Sequence, residues 1–307
     1  MFSSFMIDTW MAASMAAVIA GVVGYFAVMR SSAFAAHAVP LGAFAGAAGA
    51  SLIGVSTILG LGVFAVGGAV GIGWLGRRGH RDVATALALV VLLGLGSLFL
   101  SLSTEYAPEI YSLLFGEVLG VSTSELVPLA GLGIVTIAVV AVYYRPLLLT
   151  SVLSDVAEAR GARPFRLEMV FLVILALATT MTVPVVGAFL MFSLMIAPAA
   201  AARLLTARPS LAMVLSVLIA LAMAWAAVAA SYESQWPVGF FVGTLGVVSY
   251  GLARAWSTVH RGGRGRVIQA SSSRTEAKAS AARSSSSRRW AADTWVRMRA
   301  FPRGTTG

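Results

Sequence analysis

One histidine, two methionines and two prolines are the residues whose type and spacing suit chemistry inside an apolar medium. His37 is the only histidine in an apolar run, since His80 and His260 lie in charged stretches. An ionisable side chain in such a run is a functional candidate by default, and imidazole is a good ligand for zinc and other first-row metals. Pro40 follows on the same helix. Lacking an N–H, it leaves the carbonyl of Ala36 without its intrahelical partner, so a ring nitrogen and a free carbonyl lie close together. The plainer alternative is a neutral, buried histidine hydrogen-bonded to a neighbouring helix. Met191 and Met195 stand four apart and present thioethers of the kind that bind soft ions such as Cu(I), although flexible core filling is the preferred reading. Pro198 frees the carbonyl of Leu194 and is a candidate bend for a gate.

The elements that must position these residues are membrane spans. The chain has 307 residues, 59% apolar and 11% charged, with a mean hydropathy of +0.88, which is too apolar for a soluble domain of this size. About 20 apolar residues cross the hydrocarbon core, and nine runs reach that length: 10–29, 33–55, 58–75, 83–102, 126–144, 165–181, 185–202, 211–230 and 238–256. The expected fold is all-α, a compact polytopic bundle. The joint at Thr182 to Pro184 is very short, so eight spans with one broken helix is the alternative count. The first run has no basic lead-in and no Ala-x-Ala site, and reads as a retained span.

Charge sets the expected orientation. Arginines follow the first run (Arg30), the third (Arg77, Arg78, Arg81), the fifth (Arg145, Arg160, Arg163, Arg166), the seventh (Arg203, Arg208) and the ninth. The other loops carry Glu105, Glu109, Glu117, Glu125 and Glu233 and no basic residue. Positively charged loops stay inside, so residues 1–9 are expected outside and the C-terminus in the cytoplasm. The first 253 residues hold as many acidic as basic side chains, and the whole excess of +10 belongs to the stretch from Arg254 onward. The transmembrane domain is expected over 10–257 and a basic, disordered tail over 258–307. Within that tail Trp290, Trp295, Met298 and Phe301 recur among arginines, so 288–303 is expected to lie on anionic lipid.

Small residues fall at helical spacing, with Ala38, Gly42, Gly46 and Ala50 in the second run and Gly67 and Gly71 in the third. Such positions let helix backbones approach closely. Several functions are excluded in turn. There is no cysteine, hence no disulfide or thiolate site. There is no phosphate-binding Gly-x-x-x-x-Gly-Lys-Ser/Thr loop, and Lys278 is the sole lysine, so ATP is not expected to bind here. No carboxylate sits at the middle of a run, which argues against an ion-coupled carrier.

Residues 150–161 read as a short helix lying between spans, capped by Ser154 and ended by Gly161 before Pro164. Its core, Asp155-Val-Ala157-Glu158-Ala-Arg160-Gly161, resembles the Asp/Glu-x-Ala-x-Ala-x-Gly segment of the membrane permeases of zinc- and manganese-type ABC importers. Residues 186–199 resemble that family's Val-Gly-x-x-x-x-x-x-x-Leu/Met-x-x-Pro-Ala run. Residues 111–117 resemble its Tyr-x-x-Phe-Gly-acid element, with Glu117 as the acid. Docking of a delivery protein and a solvated interfacial helix are equal readings of that loop.

The resemblance covers about residues 30–255 and implies a permease subunit that imports a divalent transition metal, zinc or manganese, by alternating access. It implies Asp155, Ala157, Glu158, Arg160 and Gly161 as the cytoplasmic coupling helix. It also implies a homodimer, separate cytoplasmic ATPases that hold the ATP, an external metal-binding protein and a bacterial plasma membrane. No permanent cofactor, no catalysis by this chain and no nucleic-acid partner are expected; the metal is cargo. The family's second-span motif is Asp-x-x-x-His-x-x-x-Pro-Gly. Anchored on Gly46, it puts His37 at the Asp position and Leu41 at the His position; anchored on His37, it puts Ala33 at the Asp position. One ligand of the pair is absent either way, and water, a second subunit or a chelator would complete the site. A secondary, ion-coupled carrier of metal or small solute is the alternative function.

Overall fold

The computed structural model describes residues 4–102, 114, 123–152 and 163–259. The chain divides into two units, Met1–Arg254 and Ala255–Gly307, and the first holds the bundle. Among the described residues the regular elements are α1 (Ser4–Met29), α2 (Ala33–Ile53), α3 (Thr57–Leu75), a 3₁₀ turn (Gly76–Arg78), α4 (Arg81–Leu102), α5 (Thr123–Val152), α6 (Pro164–Val186), α7 (Ala188–Leu205), α8 (Pro209–Ser234) and α9 (Val238–Val259). All nine α-helices are long and apolar enough to cross a bilayer. Helices are what hydrocarbon demands, because every backbone polar group must be satisfied within its own segment.

Interhelical contacts set the directions. Gly46 of α2 meets Gly60 of α3, and Gly73 and Gly62 of α3 meet Met169 and Thr180 of α6, so each of these pairs is antiparallel. α8 runs antiparallel to α1, with Val217 against Gly21 and the Trp225 indole donating to Ser14 at 2.9 Å. The ends of α1, α3 and α5 and the starts of α4 and α6 therefore share one face. Arg30 reaches Thr150 and Glu168 there, and the Arg77 guanidinium lies 4.5 Å from the Phe165 ring centroid.

Two local features differ from the expectation. The turn between α6 and α7 falls at Gly187, not at Thr182 to Pro184. α6 runs through Pro184 to Val186, and Gly187 turns the chain with φ +88° and ψ 151°, a conformation that a side chain disfavours. Proline is tolerated in a membrane helix where neighbouring side chains and helices satisfy the freed backbone. Pro184 frees the carbonyl of Thr180, and the hydroxyls of Thr180 and Thr182 donate one turn earlier, to the carbonyls of Ala176 and Ala178. α6 and α7 are thus two separate span-length helices, and the eight-span count falls.

The second difference concerns the small residues of α3. Among the described residues, nothing lies within 4 Å of where a Cβ on Gly67 or Gly71 would stand. α3 closes on its neighbours through Gly60, Gly68 and Gly73, where an added Cβ would strike Gly46 and Ala50, Leu92, and Met169. In α2, Gly42 and Gly46 are both buried. A Cβ on Gly42 would lie 2.5 Å from Leu92 Cδ1, and one on Gly46 would overlap the Gly60 carbonyl. A right spacing in sequence thus leaves open which face of the helix meets a partner.

Candidate functional site

α2 holds His37 half-buried, one turn before the buried Leu41. The imidazole meets the ring of Phe192 from α7 edge-on, with centroids 4.9 Å apart and planes at 68°. Its Nδ1 is buried and has no hydrogen-bond partner. The structure therefore gives this nitrogen no neighbouring helix to bond. No group of three or more His, Cys, Asp or Glu able to hold a metal exists among the described residues. What the arrangement offers is one nitrogen donor beside an aromatic wall. Phe192 is a contact that sequence does not single out, because nothing in an apolar run tells which residue will face a distant helix.

The methionines are engaged in packing. Met191 is fully buried, and its sulfur accepts a hydrogen bond from the Thr182 hydroxyl at 3.0 Å. Met195 is fully buried, and its carbonyl lies against Gly24 of α1. Pro198 is buried within α7, which continues to Leu205. Asp155, Ala157, Glu158, Arg160 and Gly161 lie outside the described residues, as do the outer loop around Glu117 and the segment 288–303.

A second constellation, without any motif, lies on the basic face. Glu168, in the second turn of α6, accepts from Arg30 Nη2 at 2.7 Å and from Arg81 Nη1 at 3.3 Å. Arg30 also donates through Nη1 to the Thr150 hydroxyl at 2.9 Å, and its guanidinium lies 5.4 Å from the Phe171 ring centroid. Its Nε is buried without a partner. The side chains of Arg30 and Glu168 are 7% and 10% exposed, whereas that of Arg81 is 57% exposed. Removing one member of such a buried pair strands the other charge at a cost of about 3–5 kcal/mol. The solvated Arg81 arm is worth about 1 kcal/mol or less. Cavities of about 270 and 290 Å³ flank the cluster, the first reached by Arg77 and Asp82 and the second by Ser151. The sequence signal was an acid early in an apolar run; its partners lie as far as 138 residues away.

Comparison with known proteins places these features in a family. The family model described as "ABC 3 transport family" matches residues 2–253. The manganese transport system membrane protein MntC of Listeria monocytogenes is 29% identical over 215 residues, covering 69% of this chain and 74% of that protein. The high-affinity zinc uptake system membrane protein ZnuB of Haemophilus influenzae is 25% identical over 189 residues, covering 61% and 72%. A solved structure, PsaBC from Streptococcus pneumoniae in complex with Fab, shares the fold with a TM-score of 0.74 at 21% identity, covering 82% of this chain and 91% of that one.

Proposed function

Because the chain belongs to the ABC 3 transport family, we propose that it is the membrane permease of an ABC importer whose cargo is a divalent transition metal, manganese or zinc. The observation that carries this reading is the family match over residues 2–253, which takes in nearly all of the nine-helix bundle. Relatives named for manganese and zinc transport support the cargo. The basic face, where Arg30, Arg77 and Arg81 gather, is the cytoplasmic one by the distribution of positive charge. In this reading the N-terminus lies outside and the basic tail, 258–307, in the cytoplasm, with 288–303 on the inner leaflet.

In this reading the energy comes from outside the chain. Cytoplasmic ATPases hold and hydrolyse ATP and engage residues 155–161, with Asp155, Ala157, Glu158, Arg160 and Gly161 forming the contact. A second copy of the permease completes the pathway, and an external metal-binding protein delivers the ion. His37 is the transit ligand: its Nδ1 is unpartnered and its ring is free of competing hydrogen bonds at that atom. One imidazole holds a metal weakly, which suits an ion that must leave again. Water, the second copy or a travelling chelator supplies the remaining donors, and Pro198 gives α7 a place to bend as access alternates.

The experiment is reconstitution with the cognate ATPase. Glu158→Arg or Gly161→Val should insert and assemble normally, yet hydrolyse ATP without moving metal. Wild-type transport by both variants would remove the coupling role from this segment.

A further inference from the structure

The segment 153–162 leaves α5 at Val152 and enters α6 just before Pro164. Thr150 lies on the helix before it and Glu168 on the helix after it, and both are held by a single guanidinium, that of Arg30. Resting on the transport reading above, we propose that Arg30 and Glu168 are positioning residues that pass movement of the end of α5 and the start of α6 to α1, with Arg81 as the releasable arm. Any pull that displaces the end of α5 or the start of α6 must carry α1 with it or break the hydrogen bonds to Arg30.

The three charges are built unequally, as such a joint requires. Arg30 and Glu168 are almost fully enclosed, and separating them would strand a buried charge, so they move together. Arg81 is more than half exposed at a longer 3.3 Å contact, so its loss is compensated by solvent and it can release and reform. The two flanking cavities leave room for the Arg81 and Glu168 side chains to shift without entering the packed core.

From α1 a continuous set of contacts leads to the candidate transit ligand. Gly24 of α1 lies directly against the Met195 carbonyl of α7, closer than any side chain would allow. Phe192, one turn earlier on α7, is the residue whose ring meets His37. The physical chain therefore runs from the end of α5 and the start of α6 through Arg30, α1 and α7 to the imidazole. It consists of a buried ion pair and tight backbone packing, contacts that transmit displacement and do not absorb it.

The test uses the complex assembled with its ATPases in liposomes, with Arg81→Gln, Glu168→Asp and Glu168→Gln compared. Two readouts are taken: manganese or zinc moved per ATP hydrolysed, and maleimide labelling of a Ser151→Cys probe, the chain having no cysteine of its own. Ser151 lines the cavity shared with Arg30 and Glu168. We expect Arg81→Gln to assemble normally and to lower metal moved per ATP by about 2- to 5-fold, in keeping with an exposed arm at a long contact. Glu168→Asp keeps the charge and should retain more coupling than Glu168→Gln.

ATP binding should change the labelling rate of the probe in the otherwise wild-type complex, and Arg81→Gln should abolish that change. If the Glu168 variants fail to assemble, Arg81→Gln decides alone. A wild-type ratio and an unaltered ATP-dependent labelling change in Arg81→Gln would make the cluster a static anchor and overturn the proposal. Absence of ATP-driven uptake by the wild-type complex would instead overturn the transport reading, and labelling, which needs no cargo, would then decide this inference by itself.

Discussion

Two polar places in an otherwise apolar bundle are treated in opposite ways. On the basic face, Glu168 is bonded by Arg30 and Arg81, and Arg30 by Thr150 as well, so the buried charges are paired even though Arg30 Nε is left over. Beside α7, the Nδ1 of His37 is buried and bonded to nothing, with only the edge contact to Phe192 to orient the ring. Satisfied buried charges fix a structure, because stranding one is costly. A buried ring nitrogen left unsatisfied costs stability, and that atom stays free for a ligand.

The largest effect should come from breaking the satisfied side. Glu168→Leu leaves Arg30 enclosed without its counter-charge, and should lower stability by about 3–5 kcal/mol, read as a lower thermal midpoint in detergent. An unchanged midpoint would show that water reaches Arg30 and that the pair is not a structural joint. Next comes the seam that positions the helix carrying His37. Gly46→Ala puts a methyl into the Gly60 backbone and should cost about 1–3 kcal/mol, while Gly67→Ala faces open space and should cost nothing. Equal effects of the two alanines on the midpoint would erase the distinction between packed and open glycines.

On the unsatisfied side the signs should reverse between stability and function. His37→Ala loses only the contact with Phe192, so the folded complex should survive, yet metal flux per folded complex should fall strongly. Leu41→His adds a second imidazole one turn along the same helix face and should change which metal moves fastest. Lost expression with normal flux per surviving molecule would make His37 a core residue. Among the substitutions expected to destabilise, the smallest effect belongs to Thr182→Val, which removes a hydrogen bond to Met191 and one to Ala178, worth about 1 kcal/mol in the same thermal assay.

How much of this is legible in the sequence follows from the range of each interaction. Nine spans and their basic ends are local properties, set by some 20 consecutive apolar residues and the charges that punctuate them, and the helices match those runs closely. The turn between α6 and α7 is not legible because Pro184 and its neighbours look like a break, whereas α6 continues through the proline with Val183, Val185 and Val186 buried, and turns only at Gly187. His37 stood out by type alone. Its partner Phe192, and the pairing of Arg30 with Glu168, depend on how distant helices are rotated against each other, and periodicity carries no such information. Gly67 and Gly71 teach the same point: their spacing is right, but Gly60, Gly68 and Gly73 are the ones that face a neighbour.

The central claim is that this bundle moves metal by energy taken from ATP on partner subunits. Uptake of labelled manganese and zinc into liposomes holding the permease with its ATPases measures it directly, with ATP supplied to the face bearing Arg30 and Arg81 and ion gradients collapsed by ionophores. The account predicts uptake that requires hydrolysable ATP and persists without any gradient. Uptake that ignores ATP and follows a proton or sodium gradient would contradict it and identify a secondary carrier.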